Sequence, residues 1–299
     1  MTVQESKPDP RQVVVPGTEP LAPPRAHCTP PLKWVGSKRW LVPMLAPIIY
    51  ERLAVTGGWY IEPFLGGAAI ALDLGLSNML LSDICKPLIN MYQAIRKTPA
   101  AVAWALQTLV DRGTDKESYL KVRASEPPSV VFAAARFLYL NKFGFNGLYR
   151  ENGDGKFNVP HGGDRSRASL PDEDALAAVS QALKRADLRV ADFRETIATA
   201  QTGDVVYADS PYYDTFSGYT AGGFTEDDHF ALAAALTEAH NRGAIIIASN
   251  SDHERVRELY AWARVTPISE RHVVGATAAR RGLRPAVLIT SDANLLRTP

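Results

Sequence analysis

The chain has 299 residues and a net charge of +1, from 33 Lys and Arg against 32 Asp and Glu. Hydrophobic residues make up 46% and charged residues 22% of the chain, close to the averages of globular proteins, so a fibrous or wholly disordered protein is excluded. The near-zero net charge excludes a uniformly basic protein of the histone kind, although it allows a local basic face.

Cysteine, histidine and apolar patterning indicates a soluble protein of a reducing compartment, and we predict a cytoplasmic location. The two cysteines, Cys28 and Cys85, are far apart, which argues against a disulfide framework or a zinc site. No histidine pair has metal-ligand spacing, so no metal is expected, and His229 and His240 are interpreted as helix-surface residues. No apolar run could span a membrane, and the N-terminus lacks the apolar core of a signal peptide.

Residues 1–28 are predicted to form a disordered tail. They contain six prolines and few large apolar residues. Such a segment cannot bury enough apolar surface to offset the entropy lost on ordering.

Short apolar runs alternate with helical patterns from residue 59 onward. A helical pattern over 227–243, for example, ends at Gly243, a typical stop signal. Strands that alternate with helices predict a mainly parallel α/β sheet. The runs predicted as strands are 59–64, 79–83, 188–193, 204–209, 244–249, 263–268 and 285–291.

The stretch from about 93 to 187 interrupts this alternation. Residues 102–110 and 130–140 have helical patterns, whereas 142–167 is rich in Gly and Asn and is predicted as a loop. An insertion of this size is either a substrate-reading subdomain or an added segment without a role in recognition, and composition alone does not separate the two.

Two motifs predict a nucleoside site at the carboxyl edge of the sheet. EPFLGGAAIAL, Glu62 to Leu72, places glycines between a strand and a helix, where backbone N–H groups can face a ligand. Asp83 ends the next strand, where a carboxylate can accept hydrogen bonds from ribose hydroxyls. The alternatives are a tight packing turn and a helix N-cap.

A third motif, YADSPYY, places Asp209 to Tyr213 at the end of a strand. An amine on an aromatic base is a poor nucleophile because its lone pair is delocalised into the ring. A carboxylate and a backbone carbonyl can accept its two N–H bonds and turn the lone pair toward an electrophile. An aromatic ring such as Tyr212 can stack on an extruded base. The alternative is a strand-end turn with a capping Asp.

In this order the motifs resemble those of the Dam-type (D12 class) S-adenosylmethionine-dependent DNA adenine-N6 methyltransferases. LKWVGSKRWL resembles the opening cofactor motif of that family, and LNKFGFNGLYRENGDGKFNVPHG resembles its DNA-reading loop. LLSDICKPLINMYQAI resembles the ribose-binding motif, and ADF at 191–193 is similar to the adenine-binding motif. The resemblance runs from Pro31 to about Ser291.

This resemblance implies a Rossmann-like methyltransferase fold, with a mostly parallel seven-stranded sheet and an inserted, mainly helical DNA-recognition subdomain. It divides the chain into an S-adenosylmethionine-binding catalytic domain, 29–92 and 188–299, and a target-recognition subdomain, 93–187. It implies methyl transfer to N6 of a flipped adenine in double-stranded DNA, in GATC, by a monomer without metal. The source would be a bacterium or a phage, and a restriction-modification role is compatible.

The resemblance also implies roles for individual residues. Those that would lie by the cofactor are Trp34, Lys38, Glu62, Phe64, Gly66, Gly67, Asp83, Asp192, Phe193 and Asp209. Those that would activate the target adenine are Asp209, Ser210, Pro211 and Tyr212. Those that would contact DNA are Lys33, Phe145, Asn146, Leu148, Arg150, Pro160, Arg280 and Arg281. Arg280 and Arg281 belong to a stretch, 271–284, with four arginines and no acid, typical of phosphate binding or of a solvated loop.

Two departures from the family pattern keep alternatives open. Ser210 stands where the family usually has proline, and the segment 213–224 is shorter than usual. The alternatives are a cofactor-holding DNA-binding protein with weak or no turnover, and a methyltransferase that acts on cytosine N4.

Overall fold

In the computed structural model the described residues are 28–163, 169–213, 223–271 and 283–292. Seven strands form one sheet in the order β3-β2-β1-β4-β5-β7-β6. The predicted tail lies outside the described residues, apart from Cys28. The strands are β1 Tyr60–Glu62, β2 Met79–Asp83, β3 Asp187–Val190, β4 Val205–Asp209, β5 Ile245–Ser251, β6 Arg264–Arg271 and β7 Leu283–Thr290.

The prediction of a mainly parallel α/β sheet is confirmed. Strands β3, β2, β1, β4 and β5 pair in parallel, and β7 is antiparallel to both β5 and β6. Two strands end at least two residues earlier than predicted. β1 ends at Glu62, before Pro63, whose nitrogen has no hydrogen to donate to a neighbouring strand. β3 ends at Val190, because Asp192 caps the helix that follows.

Ten α-helices connect and cover the strands in the described part of the chain. Both faces of the sheet are buried: Tyr60 and Met79 belong to one apolar cluster, and Ile61 and Leu80 to the other. This is the packing expected when crossover helices lie on both sides of a parallel sheet. The helices are α1 Val42–Thr56, α2 Ala69–Leu74, α3 Lys86–Lys97, α4 Pro99–Asp111, α5 Lys116–Ala124, α6 Val130–Phe143, α7 Glu173–Ala182, α8 Phe193–Ala198, α9 Glu226–Asn241 and α10 Glu254–Leu259.

Helices α4 to α7 lie between β2 and β3 in the chain, within the predicted insertion. Helix α3 packs against α6 and α7 as well as against β2 and β3, so the boundary predicted at residue 93 falls within one continuous helix. The segment after α6 has more pairing than a loop: isolated bridges join Gly144 to His161 and Glu151 to Phe157. It is a hairpin, and its turn lies at residues 152–155, where the Gly155 N–H donates to the Asn152 carbonyl at 3.0 Å.

Within the described ranges, no helix combines the length and apolarity that crossing a membrane requires. The same ranges contain no group of three or more His, Cys, Asp or Glu side chains suited to a metal ion.

Candidate active site and DNA-reading surface

The candidate active site lies at the carboxyl edge of the sheet, where β1 has β2 on one side and β4 on the other. From β1 the chain continues to β2 on one side, and from β4 it continues to β5 on the other, which opens a crevice at the edge between β1 and β4. Four segments meet there: the glycine turn after β1, Asp83 at the end of β2, Asp192 after β3 and Asp209 at the end of β4.

The glycine turn is fastened to β2 by Asp83. One carboxylate oxygen of Asp83 accepts a hydrogen bond from the Gly66 N–H at 2.9 Å, and the other accepts one from the Cys85 N–H at 2.9 Å. Burial raises the pKa of Asp83, and these two bonds partly oppose the rise. Gly66 has φ +46°, and a Cβ there would lie 2.7 Å from Cδ1 of Trp34, so both backbone and space require glycine. Trp34 therefore covers the turn.

Three phenylalanines form an aromatic wall beside Asp83. Phe64 and Phe193 stack with ring centroids 5.4 Å apart, and Phe224 stands edge-on to Phe64 at 5.9 Å. Ile84 follows Asp83 with its side chain 60% exposed, unusual for a large apolar residue at the end of a buried strand. An exposed apolar side chain and an aromatic wall near a carboxylate suit a nucleoside.

Asp192 makes contacts that suit a helix cap as well as a ligand contact. Its Oδ1 accepts a hydrogen bond from the Arg194 N–H at 2.8 Å, as an N-cap residue does. The Arg194 guanidinium also pairs with Asp192 at 3.1 Å, and it lies 4.3 Å from the Phe193 ring centroid. Arg194 therefore ties these two predicted cofactor residues together.

Asp209 is oriented by two donors from distant parts of the chain. The Ser249 hydroxyl donates to its Oδ1 at 2.6 Å, and the Lys38 Nζ lies 3.1 Å from the same oxygen. Lys38 is 5% exposed, and its ammonium lies 4.6 Å from the ring centroid of Tyr212. Lys38, predicted to lie by the cofactor, thus contacts two of the predicted catalytic residues, Asp209 and Tyr212. Ser210, which lies between those two in the sequence, is buried.

Glu62, predicted to lie by the cofactor, is buried beneath the site. It accepts a hydrogen bond from the Tyr60 hydroxyl at 3.0 Å. Burial raises its pKa well above the usual range, and the nearby Asp209 carboxylate adds to the rise. Gly67 lies on the turn above it, where a Cβ would come 3.2 Å from the Trp34 Cβ.

The interpretation of His229 as a helix-surface residue is wrong. Its side chain is buried, and its ring lies 4.7 Å from Phe224 and 5.1 Å from Tyr213. Burial lowers its pKa. Its ring packs against Tyr213, the last residue of the YADSPYY motif, and it lies in the first turn of α9.

A second surface holds the predicted DNA-contacting residues. Phe145 lies at the hairpin base with 43% of its side chain exposed, and Asn146 next to it has φ +55°. The Arg150 Nε donates to the Asn158 Oδ1 at 2.6 Å across the hairpin. The residues on this surface, all exposed or half-buried, are Lys33, Phe145, Asn146, Leu148, Arg150 and Pro160.

Several predicted features lie outside the described residues. These are Arg280, Arg281 and most of the shortened segment, 214–222. Sequence reasoning missed Ser249, Phe224 and Ile84. Ser249 carried a signal, because it ends a predicted strand and neighbouring parallel strands end at the same edge of the sheet. The other two carry no such signal.

The residues at the sheet edge fit a nucleoside cofactor. The Asp83 carboxylate, an aromatic wall and a glycine turn converge there, and the oriented Asp209 stands beside them. Together with the sheet order they define a Rossmann-like methyltransferase. The family model for the D12 class N6 adenine-specific DNA methyltransferases matches residues 34–274, and the chain belongs to that family.

Relatives of known activity are similar over nearly their whole length. A DNA adenine methylase of Vibrio cholerae is 34% identical over 84% of this chain and 91% of its own. The Retron Ec67 DNA adenine methylase of Escherichia coli is 32% identical over 88% and 91%. The Type II methyltransferase M1.LlaDCHI of Lactococcus lactis is 30% identical over 90% and 98%. The protein is an adenine-specific DNA methyltransferase, and its family and fold imply S-adenosylmethionine as methyl donor.

Proposed function

We propose that the protein transfers a methyl group from S-adenosylmethionine to N6 of an adenine flipped out of duplex DNA within GATC. The observation that carries this proposal is the arrangement of Asp209, whose carboxylate is held by Ser249 and Lys38 beside the Tyr212 ring. An oriented carboxylate next to an aromatic ring suits a flat base that bears an amine.

The cofactor would be held at the glycine turn and the aromatic wall. Asp83 keeps acceptor capacity for the ribose, since a carboxylate has about four acceptor sites and the backbone N–H groups of Gly66, Ile84 and Cys85 occupy three of them. The exposed Ile84 and the half-buried Phe64 offer apolar surface for the adenine of the cofactor, and the buried Phe193 ring stacks on Phe64. When bound, S-adenosylmethionine supplies a methyl group on a positively charged sulfur.

Asp209 and the Ser210 carbonyl would accept the two N–H bonds of the target amine. Hydrogen bonds from both N–H groups to these acceptors draw the nitrogen lone pair out of the ring. N6 can then form a bond to the methyl carbon as the sulfur–carbon bond breaks. One amine proton then leaves to solvent. Serine in place of proline at 210 keeps this chemistry, because the acceptor is a main-chain carbonyl.

Base reading would come from the hairpin surface and Lys33. Asn158 holds the Arg150 guanidinium at two points, since its Oδ1 accepts from Nε at 2.6 Å and its carbonyl accepts from Nη2 at 3.4 Å. The hydrogens of Nη1 and the second hydrogen of Nη2 would then meet a guanine in the major groove. Phe145 and Asn146 would enter the duplex beside the flipped base. Burial lowers the pKa of Lys142, and repulsion from nearby Lys33 and Arg39 lowers it further. A cluster of three cations at this place suits DNA phosphates.

The test is methyl transfer from labelled S-adenosylmethionine to duplexes that contain GATC or one of its single-base-pair substitutions. We expect N6-methyladenine in the GATC duplex, identified after nucleoside digestion. Arg150→Ala should lose about 1–3 kcal/mol of discrimination at one base pair. Arg112→Ala, at the exposed end of α4, is the control and should keep it.

Each other outcome contradicts a part of the proposal. N4-methylcytosine as product would replace the target base. Transfer to another sequence would overturn GATC alone. Absence of transfer to any duplex, with S-adenosylmethionine and DNA both bound, would favour the cofactor-holding DNA-binding protein.

A further inference from the structure

We propose that Asn141 is a positioning residue that fixes the distance between the two DNA-reading segments, Lys33 and the turn at 145–148. The inference rests on the proposed function, since it concerns how that function reads sequence. Asn141 lies in the last turn of α6 and is 3% exposed, so it cannot itself touch DNA.

The Asn141 amide bonds to the main chain of both reading segments. Its Oδ1 accepts from the Lys33 N–H at 2.9 Å, and its Nδ2 donates to the Lys33 carbonyl at 2.7 Å. The second hydrogen of Nδ2 goes to the Gly147 carbonyl at 3.0 Å. We call this set of three bonds the Asn141 clamp. One side chain thereby holds two segments that are more than a hundred residues apart in sequence.

The partners leave only one orientation for the amide. One backbone N–H and two carbonyls surround it. A flipped amide would point its NH2 group at the Lys33 N–H and its oxygen at the two carbonyls, so no hydrogen bond would form. Both Nδ2 hydrogens are used, and a carboxylate could replace neither of them. An amide is therefore the group that this position requires.

The two segments are also packed closely at the clamp. Gly147 has φ +68°, and a Cβ there would lie 2.7 Å from the Lys33 Cβ. The Phe145 N–H donates to the Pro160 carbonyl at 2.9 Å, which ties the turn to the returning arm of the hairpin. A shift at Asn141 would therefore move Lys33, the turn and Pro160 relative to one another.

The clamp bears on sequence reading and not on the methyl-transfer groups. Its bonds go to Lys33 and Gly147, whereas Asp209 is held by Ser249 and the Lys38 ammonium. Without the clamp, the two segments must be ordered anew each time the recognition sequence binds. The resulting loss of affinity is greatest for the recognised sequence, because phosphate contacts to other sequences do not need the two segments in register.

The test compares Asn141→Asp with Gln93→Glu. Gln93 also donates from its amide nitrogen to a carbonyl, that of Leu188 at 2.9 Å, but it joins α3 to β3. Both changes replace an amide by a carboxylate and remove donation to a carbonyl. The recognised duplex is defined as the one that the wild type methylates fastest in a randomised pool, so an error about GATC does not affect the test.

Binding to this duplex and to a substituted one is measured by fluorescence anisotropy, along with S-adenosylmethionine affinity and thermal unfolding. Asn141→Asp should lower the affinity ratio of the two duplexes about tenfold or more, the equivalent of one lost hydrogen bond or two. Gln93→Glu should leave the ratio unchanged, and both variants should bind cofactor as the wild type does.

A second perturbation keeps the inference testable if Asn141→Asp folds poorly. Gly147→Ala pushes the same two segments apart from the other side, so it should lower the same ratio. The double variant should be no worse than the worse single one, because both changes break one junction. An unchanged ratio in Gly147→Ala, or equal loss in Gln93→Glu, would overturn the inference. A wild type that prefers no sequence would instead defeat the proposed function.

Discussion

Replacing Asp209 by asparagine tests two consequences of the pairing with Lys38, one for stability and one for catalysis. The Lys38 Nζ lies 3.1 Å from the carboxylate, it donates to the Gly36 carbonyl at 2.8 Å, and it lies 4.6 Å from the centroid of the Tyr212 ring. At that separation two unit charges attract by about 5 kcal/mol at an effective dielectric constant of about 20. Burial of the charges offsets part of this attraction.

We expect Asp209→Asn to lower the free energy of unfolding by about 3 kcal/mol. Removing one partner of a buried ion pair typically costs about 3–5 kcal/mol, because the other charge loses the opposite charge that it faced. The lower end applies because asparagine keeps a neutral acceptor for Ser249 and Lys38. For a chain of this size the melting temperature should fall by about 6–12 °C.

Thermal unfolding, calorimetry with S-adenosylmethionine and single-turnover methylation measure the three effects separately. Methylation should disappear, whereas cofactor affinity should stay largely intact. The control is the double variant Lys38→Met with Asp209→Asn, which removes both charges and should regain most of the lost stability without regaining activity. Full stability in the single variant, or additive losses in the double variant, would refute the reasoning.

Three further predictions concern neighbouring residues. Asp83→Ala should weaken S-adenosylmethionine binding by about 1–3 kcal/mol, roughly tenfold to a hundredfold, and an unchanged affinity in calorimetry would reject its assignment to the ribose. Ser210→Pro should methylate at least as fast as the parent in single turnover, because Asp209 ends a strand, the backbone region that a following proline favours; a slower variant would contradict this. Glu62→Gln should change how stability depends on pH. Burial raises the pKa of Glu62 in the folded protein, so the wild type loses stability as pH rises above the ordinary value of 4.5 toward the folded pKa. The advantage of the glutamine variant should therefore grow with pH by up to about 1.4 kcal/mol per unit, and parallel stability curves from pH 5 to 8 would show the assignment to be wrong.

Local sequence signals were sufficient for the sheet and for the edge where the site lies. Apolar runs of strand length that alternate with helical patterns predict parallel pairing. Asp83 and Asp209 end two of those runs, and Gly66 comes two residues after another. Because parallel strands all point the same way, residues that end them must meet at one edge. That rule places the three residues together from the sequence alone.

The contacts that orient those residues join segments that are distant in sequence, and only the tertiary structure decided them. Ser249 reaches Asp209 because β5 lies beside β4, and Lys38 reaches it from a segment before the first strand. His229 shows the same limit, since its helix pattern does not reveal that aromatic rings cover its face.

The sequence alone therefore determined which residue types stand at the ends of its strands and which segment carries the residues proposed to read DNA. It did not determine the burial of Glu62, the ion pair of Lys38 or the bonds of Asn141. The physical reason is that strand and helix propensities act over a few neighbouring residues. Burial, charge pairing and amide orientation depend instead on which remote segments share a small volume once the chain has folded.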